Sequence, residues 1–135
     1  LRRTVLHYVT KGGLEFMASM LLENAANPDV TDARGNAPLH LASAANRLTM
    51  IRLLLKHNAD ASITNNQLYT PIHKAAAAGN TEAATLLLDH EQAIKPKHES
   101  AELARRVLRV AELHGQIETR LALAERLNCH ASEPR

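Results

Sequence analysis

Apolar positions along the chain fall into blocks that recur. Leu, Ile and Met repeat at i, i+3 and i+4 within residues 14–23, 48–57 and 81–89, the spacing that gathers side chains on one face of a helix. Each block predicts an amphipathic helix. Shorter Ala-rich stretches, about 38–46 and 71–78, precede the second and third blocks. They also read as helices, because Ala is the best helix former and its small side chain lets two helices pack closely. Pro38 and Pro71 open these stretches, at a first helical position where the missing N–H has no intrahelical partner to lose. Thr70 is placed to cap the helix that follows it, and Gly79 stands where a helix C-terminal cap is needed. Beyond residue 90 the pattern changes. Residues 91–99 interrupt it, with Pro96 as a breaker. A helix is then predicted from an N-cap at Ser100 to about Leu113. Leu121, Leu123 and Leu127 mark a last helix, and residues 129–135 read as a loose tail.

The blocks share one period. His7, His40 and His73 are 33 residues apart, and their surroundings repeat with them: Thr4-Val5-Leu6-His7, Ala37-Pro38-Leu39-His40-Leu41-Ala42 and Thr70-Pro71-Ile72-His73-Lys74-Ala75. Fourteen residues after each His comes a Leu pair: Leu21-Leu22, Leu54-Leu55 and Leu87-Leu88. A weaker echo follows, in which Gly115-Gln116-Ile117-Glu118 answers Gly79-Asn80-Thr81-Glu82 at a displacement of 36 rather than 33. No unit of this size buries its apolar face alone, and stacked neighbours share a continuous core.

This pattern resembles the ankyrin repeat, over residues 4–90. The resemblance implies an all-α solenoid of stacked helix-turn-helix units joined by short hairpin loops. One domain is expected, with repeats at about 4–31, 32–64 and 65–90. An irregular loop at 91–99, divergent capping helices at 100–128 and the tail at 129–135 would complete it. It also implies that the register histidines are structural and that the domain binds another protein through its hairpin tips and concave helix face. The tips and matching helix positions are Arg34, Asn36, Ser43, Asn66, Gln67, Leu68, Tyr69 and Lys74. At Leu68 the family usually has Gly. Either the turn changes there, with Leu68 folded onto its neighbour, or an apolar side chain stands exposed beside Tyr69.

Composition narrows the function. Tyr8, Phe16 and Tyr69 are the only aromatic residues, too few for a surface that stacks on nucleic-acid bases. The net charge is +2, and the excess lies beyond residue 93. One cysteine, Cys129, excludes an intrachain disulfide and fits a reducing compartment. No apolar run approaches the roughly 20 residues that span a bilayer. An intracellular place, cytoplasmic or nuclear, is expected. The chain does not begin with Met, so it reads as a fragment or processed product from which an organelle-targeting segment has been removed in the alternative.

Catalytic and metal chemistry find no carrier. Histidines on successive layers lie roughly 10 Å apart, and metal bonds need ~2 Å. His57, His90, His98, His114 and His130 belong to no chelating pattern. No enzyme, cofactor or metal is expected. Two rival readings stand beside protein binding. One is an architectural subunit buried in a larger complex, its contact including Tyr8, Phe16 and Met17 of the apolar first repeat, a face that would also serve a homo-oligomer. The other is nucleic-acid contact through the basic run Lys97, Arg105, Arg106 and Arg109. That run is interleaved with Glu99, Glu102 and Glu112 and so reads first as a self-paired solvated face.

Overall fold

A computed structural model describes residues 3–94 and 97–131. The elements in chain order are α1 (Val5–Gly12), α2 (Glu15–Glu23), α3 (Pro38–Ala44), α4 (Leu48–Lys56), α5 (Pro71–Ala78), α6 (Thr81–Ile94), α7 (Lys97–Leu113) and α8 (Ile117–Ala131). All regular elements among the described residues are helical. Each odd-numbered helix packs on the next, and so does each even-numbered helix. The result is two parallel layers of helices, an inner one of α1, α3, α5 and α7 and an outer one of α2, α4, α6 and α8.

The core runs through the stack one residue per layer. Leu6, Leu39 and Ile72 recur at the 33-residue period and are all buried, as are Ala18, Ile51 and Ala84. Leu54 and Leu87 are fully buried, whereas Leu21 at the same register is only partly so. The middle repeat has a neighbour on both sides and the first has one, so identical chemistry is covered to different depths.

The turns within the repeats follow from backbone requirements. Gly13 and Gly79 end α1 and α5 in the left-handed conformation, with φ of 72° and 76°, which lacks a Cβ penalty only for glycine. Thr70 is the N-cap of α5 as expected, its hydroxyl meeting His73 Nδ1, which also lies 3.4 Å from the Thr70 backbone N–H that it accepts.

The C-terminal unit departs from the sequence reading. α6 continues to Ile94 and α7 begins at Lys97, so most of the expected irregular loop 91–99 is helical. Ser100 lies inside α7 and is not its N-cap. Pro96 itself lies outside the described residues. Cys129 belongs to α8 rather than to a tail, and residues 132–135 lie outside the described residues. α7 and α8 still dock in register with the repeat before them. Gln116 Nε2 donates to the Ala77 carbonyl at 3.3 Å, and the Thr81 and Thr119 hydroxyls meet at 2.9 Å.

Burial depth sets an expectation for stability. Leu54→Ala should destabilise the domain by about 2–5 kcal/mol, the range for a fully buried Leu, and Leu21→Ala by clearly less. Urea denaturation of the two variants measures the difference, and hydrogen exchange should be slowest in α3 and α4.

Candidate functional site

Two hairpins project beside the N-terminal ends of the inner helices. In the first, Asp32 and Asn36 pair through the backbone, and Asp32 Oδ1 accepts the N–H groups of Arg34 and Asn36, each at 2.9 Å. In the second, Asn65 and Tyr69 pair likewise, and Asn65 Oδ1 accepts the N–H groups of Gln67 and Tyr69 at 2.9 and 3.0 Å. The hairpins are also clipped together. Asn66 N–H donates to the Arg34 carbonyl at 3.0 Å, and Asn65 Nδ2 donates to Asn36 Oδ1 at 2.9 Å.

The register histidines hold these hairpins in place. His7 Nδ1 accepts the Thr4 N–H and His40 Nδ1 accepts the Ala37 N–H, both at 3.1 Å. With Nδ1 an acceptor, the proton sits on Nε2. Nε2 donates across to the next hairpin, from His7 to the Asn36 carbonyl and from His40 to the Tyr69 carbonyl, each at 2.8 Å. Burial holds His40 below its ordinary pKa. His73 is lowered to about 4, mainly by burial and further by the nearby Arg106 guanidinium.

Of the residues expected at the partner surface, Arg34, Asn66, Gln67 and Leu68 are exposed and Lys74 is half-buried, with its Nζ 3.5 Å from Gln67 Oε1. Asn36 and Ser43 are corrections. Asn36 is buried, with its carbonyl and side-chain oxygens taken by His7 and Asn65. Ser43 is fully buried and donates to the Leu39 carbonyl one turn back at 2.7 Å. Both lie beneath the exposed positions rather than among them. Tyr69 is half-buried rather than a projecting tip. Its ring stacks on His73 at a centroid distance of 6.0 Å, and its Oη lies 3.2 Å from His114 Nε2. Sequence reasoning left His114 aside as an unpatterned histidine. The 36-residue displacement, which sets residue 114 beside Ala78, was the available signal.

Leu68 resolves the alternative left open by the sequence. It keeps the left-handed turn at φ 64° and its side chain is 71% exposed. Gly35 occupies the same position in the first hairpin, and a Cβ there would lie 2.8 Å from the Asn66 backbone nitrogen. After the second hairpin the chain continues to α7 rather than to a third hairpin. Leu68 is strained by its backbone but not crowded.

The second group divides. Tyr8, Phe16 and Met17 are 57%, 77% and 48% exposed, and Val5, Leu14 and Met20 are also exposed. Met17 shares its register with Met50, which is buried, so this is the face that a preceding repeat covers in later units. Arg105, Arg106 and Arg109 are exposed on α7, with Arg105 3.9 Å from Glu102. The Lys97 side chain lies outside the described residues. Among the described residues no group of three His, Cys, Asp or Glu side chains could hold a metal ion, and no helix is long and apolar enough to cross a membrane.

A family model for ankyrin repeats (many copies) matches residues 6–55 and again 39–88. The chain belongs to the ankyrin-repeat family. No curated protein matches it. Ankyrin repeats generally serve as protein–protein interaction modules.

The histidine environment predicts a pH dependence. His73 in the folded ankyrin stack takes a proton only near pH 4, whereas the unfolded chain takes it near the ordinary value of 6.5. Its stabilisation is complete above about pH 6.5, is lost as pH falls toward 4, and does not change further below that. His40 adds in the same direction. By linkage the His73 loss should reach about 2 kcal/mol near pH 5. Urea unfolding across this window should show the decline, and His73→Gln should flatten it while lowering stability at neutral pH.

Proposed function

We propose that this domain binds a partner protein across its hairpin tips and the inner-helix face beside them, with Leu68 and Tyr69 as the central contact. The exposed, left-handed Leu68 carries this reading. A non-glycine residue in that conformation costs on the order of 1 kcal/mol, and strain held at an exposed site points to a use there. Tyr69 beside it is pinned by His73 and His114, so its ring loses little freedom on binding. Gln67, Asn66, Arg34 and Lys74 supply a polar rim. The single cysteine fits a reducing intracellular place of action, with the domain acting as a scaffold or adaptor rather than an enzyme.

The test uses the partner recovered by pull-down and mass spectrometry. Leu68→Gly should raise stability by up to about 1 kcal/mol by relieving the turn, while affinity falls. Leu68→Ser with Tyr69→Ser should abolish capture in a protein that circular dichroism shows to be folded. Unchanged affinity in both folded variants would remove the tips as the principal contact.

The apolar first repeat favours a second, architectural contact. Phe16, Met17 and Met20 lie together on α2 and stand exposed, a larger apolar cluster than isolated surface residues make. Association through this face should appear as a concentration-dependent rise in sedimentation coefficient. Phe16→Ser with Met17→Ser should leave a monomer. A wild-type chain that stays monomeric at all concentrations would overturn self-association.

A further inference from the structure

Folding sorts the charges of this chain between its two layers, and the sorting is not visible along the sequence. The inner helices and hairpins present cations: Arg3, Lys11, Arg34, Lys74 and Arg106. The outer layer and its loops hold most of the described carboxylates, Glu15, Glu23, Asp29, Asp60, Glu82 and Glu118 among them, interspersed with Arg52, Lys56 and Arg120. The inner face is therefore of one dominant sign and the outer face is mixed.

Its own acids do little to offset it. Asp32 is buried, its Oδ1 held by two backbone N–H groups and its Oδ2 3.6 Å from Arg3 Nε. In the second hairpin the same turn is built by Asn65, whose amide oxygen accepts the two equivalent N–H groups. The hydrogen bonds are kept and the negative charge is absent. Glu102 lies within ion-pair distance of Arg105, and Glu112 is exposed farther along α7. Arg34 stands at the first tip, Lys74 lies beside the second with its Nζ 3.5 Å from Gln67 Oε1, and Arg106 on α7 is exposed and acts on the charge of His73, the ring on which Tyr69 stacks.

We propose that the segment recognised by this face is an acidic polypeptide stretch, with carboxylates meeting Arg34, Lys74 and Arg106 around an apolar side chain seated on Leu68 and Tyr69. This rests on the binding face of the preceding subsection and names the chemistry of its partner. Charge complementarity of this kind sets specificity and association rate more than raw affinity. A polypeptide fits better than a nucleic acid because the face offers an aliphatic residue and a single, half-buried tyrosine rather than a row of aromatic faces for bases. Four stacked helices span roughly 30 Å, which about ten extended residues cover.

The experiment titrates the intact domain with three fluorescein-labelled probes at low and at physiological salt. They are a peptide of about ten residues built of Glu, Asp and Leu, its Lys and Leu counterpart, and a single-stranded oligonucleotide of matching charge. The acidic peptide should bind, weaken with salt, and lose about tenfold or more in affinity for Arg34→Glu with Lys74→Glu. Arg52→Glu with Lys56→Glu, on the outer layer, should leave its binding unchanged. Absence of acidic-peptide binding at low salt, equal loss in the two charge-reversed variants, or tighter binding of the oligonucleotide would each overturn the proposal. The recovered partner separates the two readings. If capture survives Arg34→Glu with Lys74→Glu but not Leu68→Ser with Tyr69→Ser, the binding face stands and its acidic specificity falls.

Discussion

The buried histidine that ties one repeat to the next, His7 and then His40, is the constraint on which the rest of this ankyrin stack depends. It joins three things at once: the N-terminus of its own helix, through Nδ1; the floor of its own repeat, through burial; and the hairpin of the next repeat, through Nε2–H. A protonated ring could not accept the N-cap N–H, so holding the hairpin and staying neutral are one condition. A hairpin of five residues has no core of its own. What keeps it at a fixed height beside the helices is the 2.8 Å bond from a buried ring in the layer before it. The tips are rigid because a residue far from them in sequence is buried.

Where that ladder ends, the surface acquires its special features. His73 has the same helix and the same N-cap contact, but α7 follows it in place of a third hairpin. Three consequences share this cause. Leu68 stands exposed in the turn position that Gly35 fills in the first hairpin, where the Asn66 backbone leaves no room for a Cβ. Tyr69 can lie over His73 and reach His114 in the turn just after α7. Arg106 comes near enough to His73 to lower its proton affinity further. The apolar contact, its aromatic neighbour and a cation thus gather at the junction between the regular repeats and the divergent unit.

The regular part of the fold was legible because period and physics agree there. Leu54, His40 and Pro38 each sit in the environment that their spacing implies. Ser100 shows the opposite case. A polar residue before an apolar run is a reasonable cap only when the preceding residues are not themselves helical, and that depends on packing of α6 against α7. Asn36 and Ser43 failed as contact residues for a related reason. Register places a residue on a hairpin or a helix, but which way its side chain turns is decided by a neighbour 29 residues away for Asn36 and by the local turn for Ser43. His114 escaped notice because its partner Tyr69 lies 45 residues distant, outside the 33-residue period.

The exchange of Asp32 for Asn65 bears on how such a face evolves without loss of structure. The hairpin requires one side-chain oxygen that accepts two backbone N–H groups, and a carboxylate and an amide both provide it. Charge is therefore free to vary at a position where geometry is not. The amide even adds a bond, since Asn65 Nδ2 reaches Asn36 Oδ1 and ties the two hairpins together, which a carboxylate cannot do as an acceptor only. The same amide thus adds a tie between the hairpins and leaves out one negative charge. Preorganisation lowers the entropy lost on binding, so a turn that keeps its hydrogen bonds while its charge varies can change what a face attracts without loosening it.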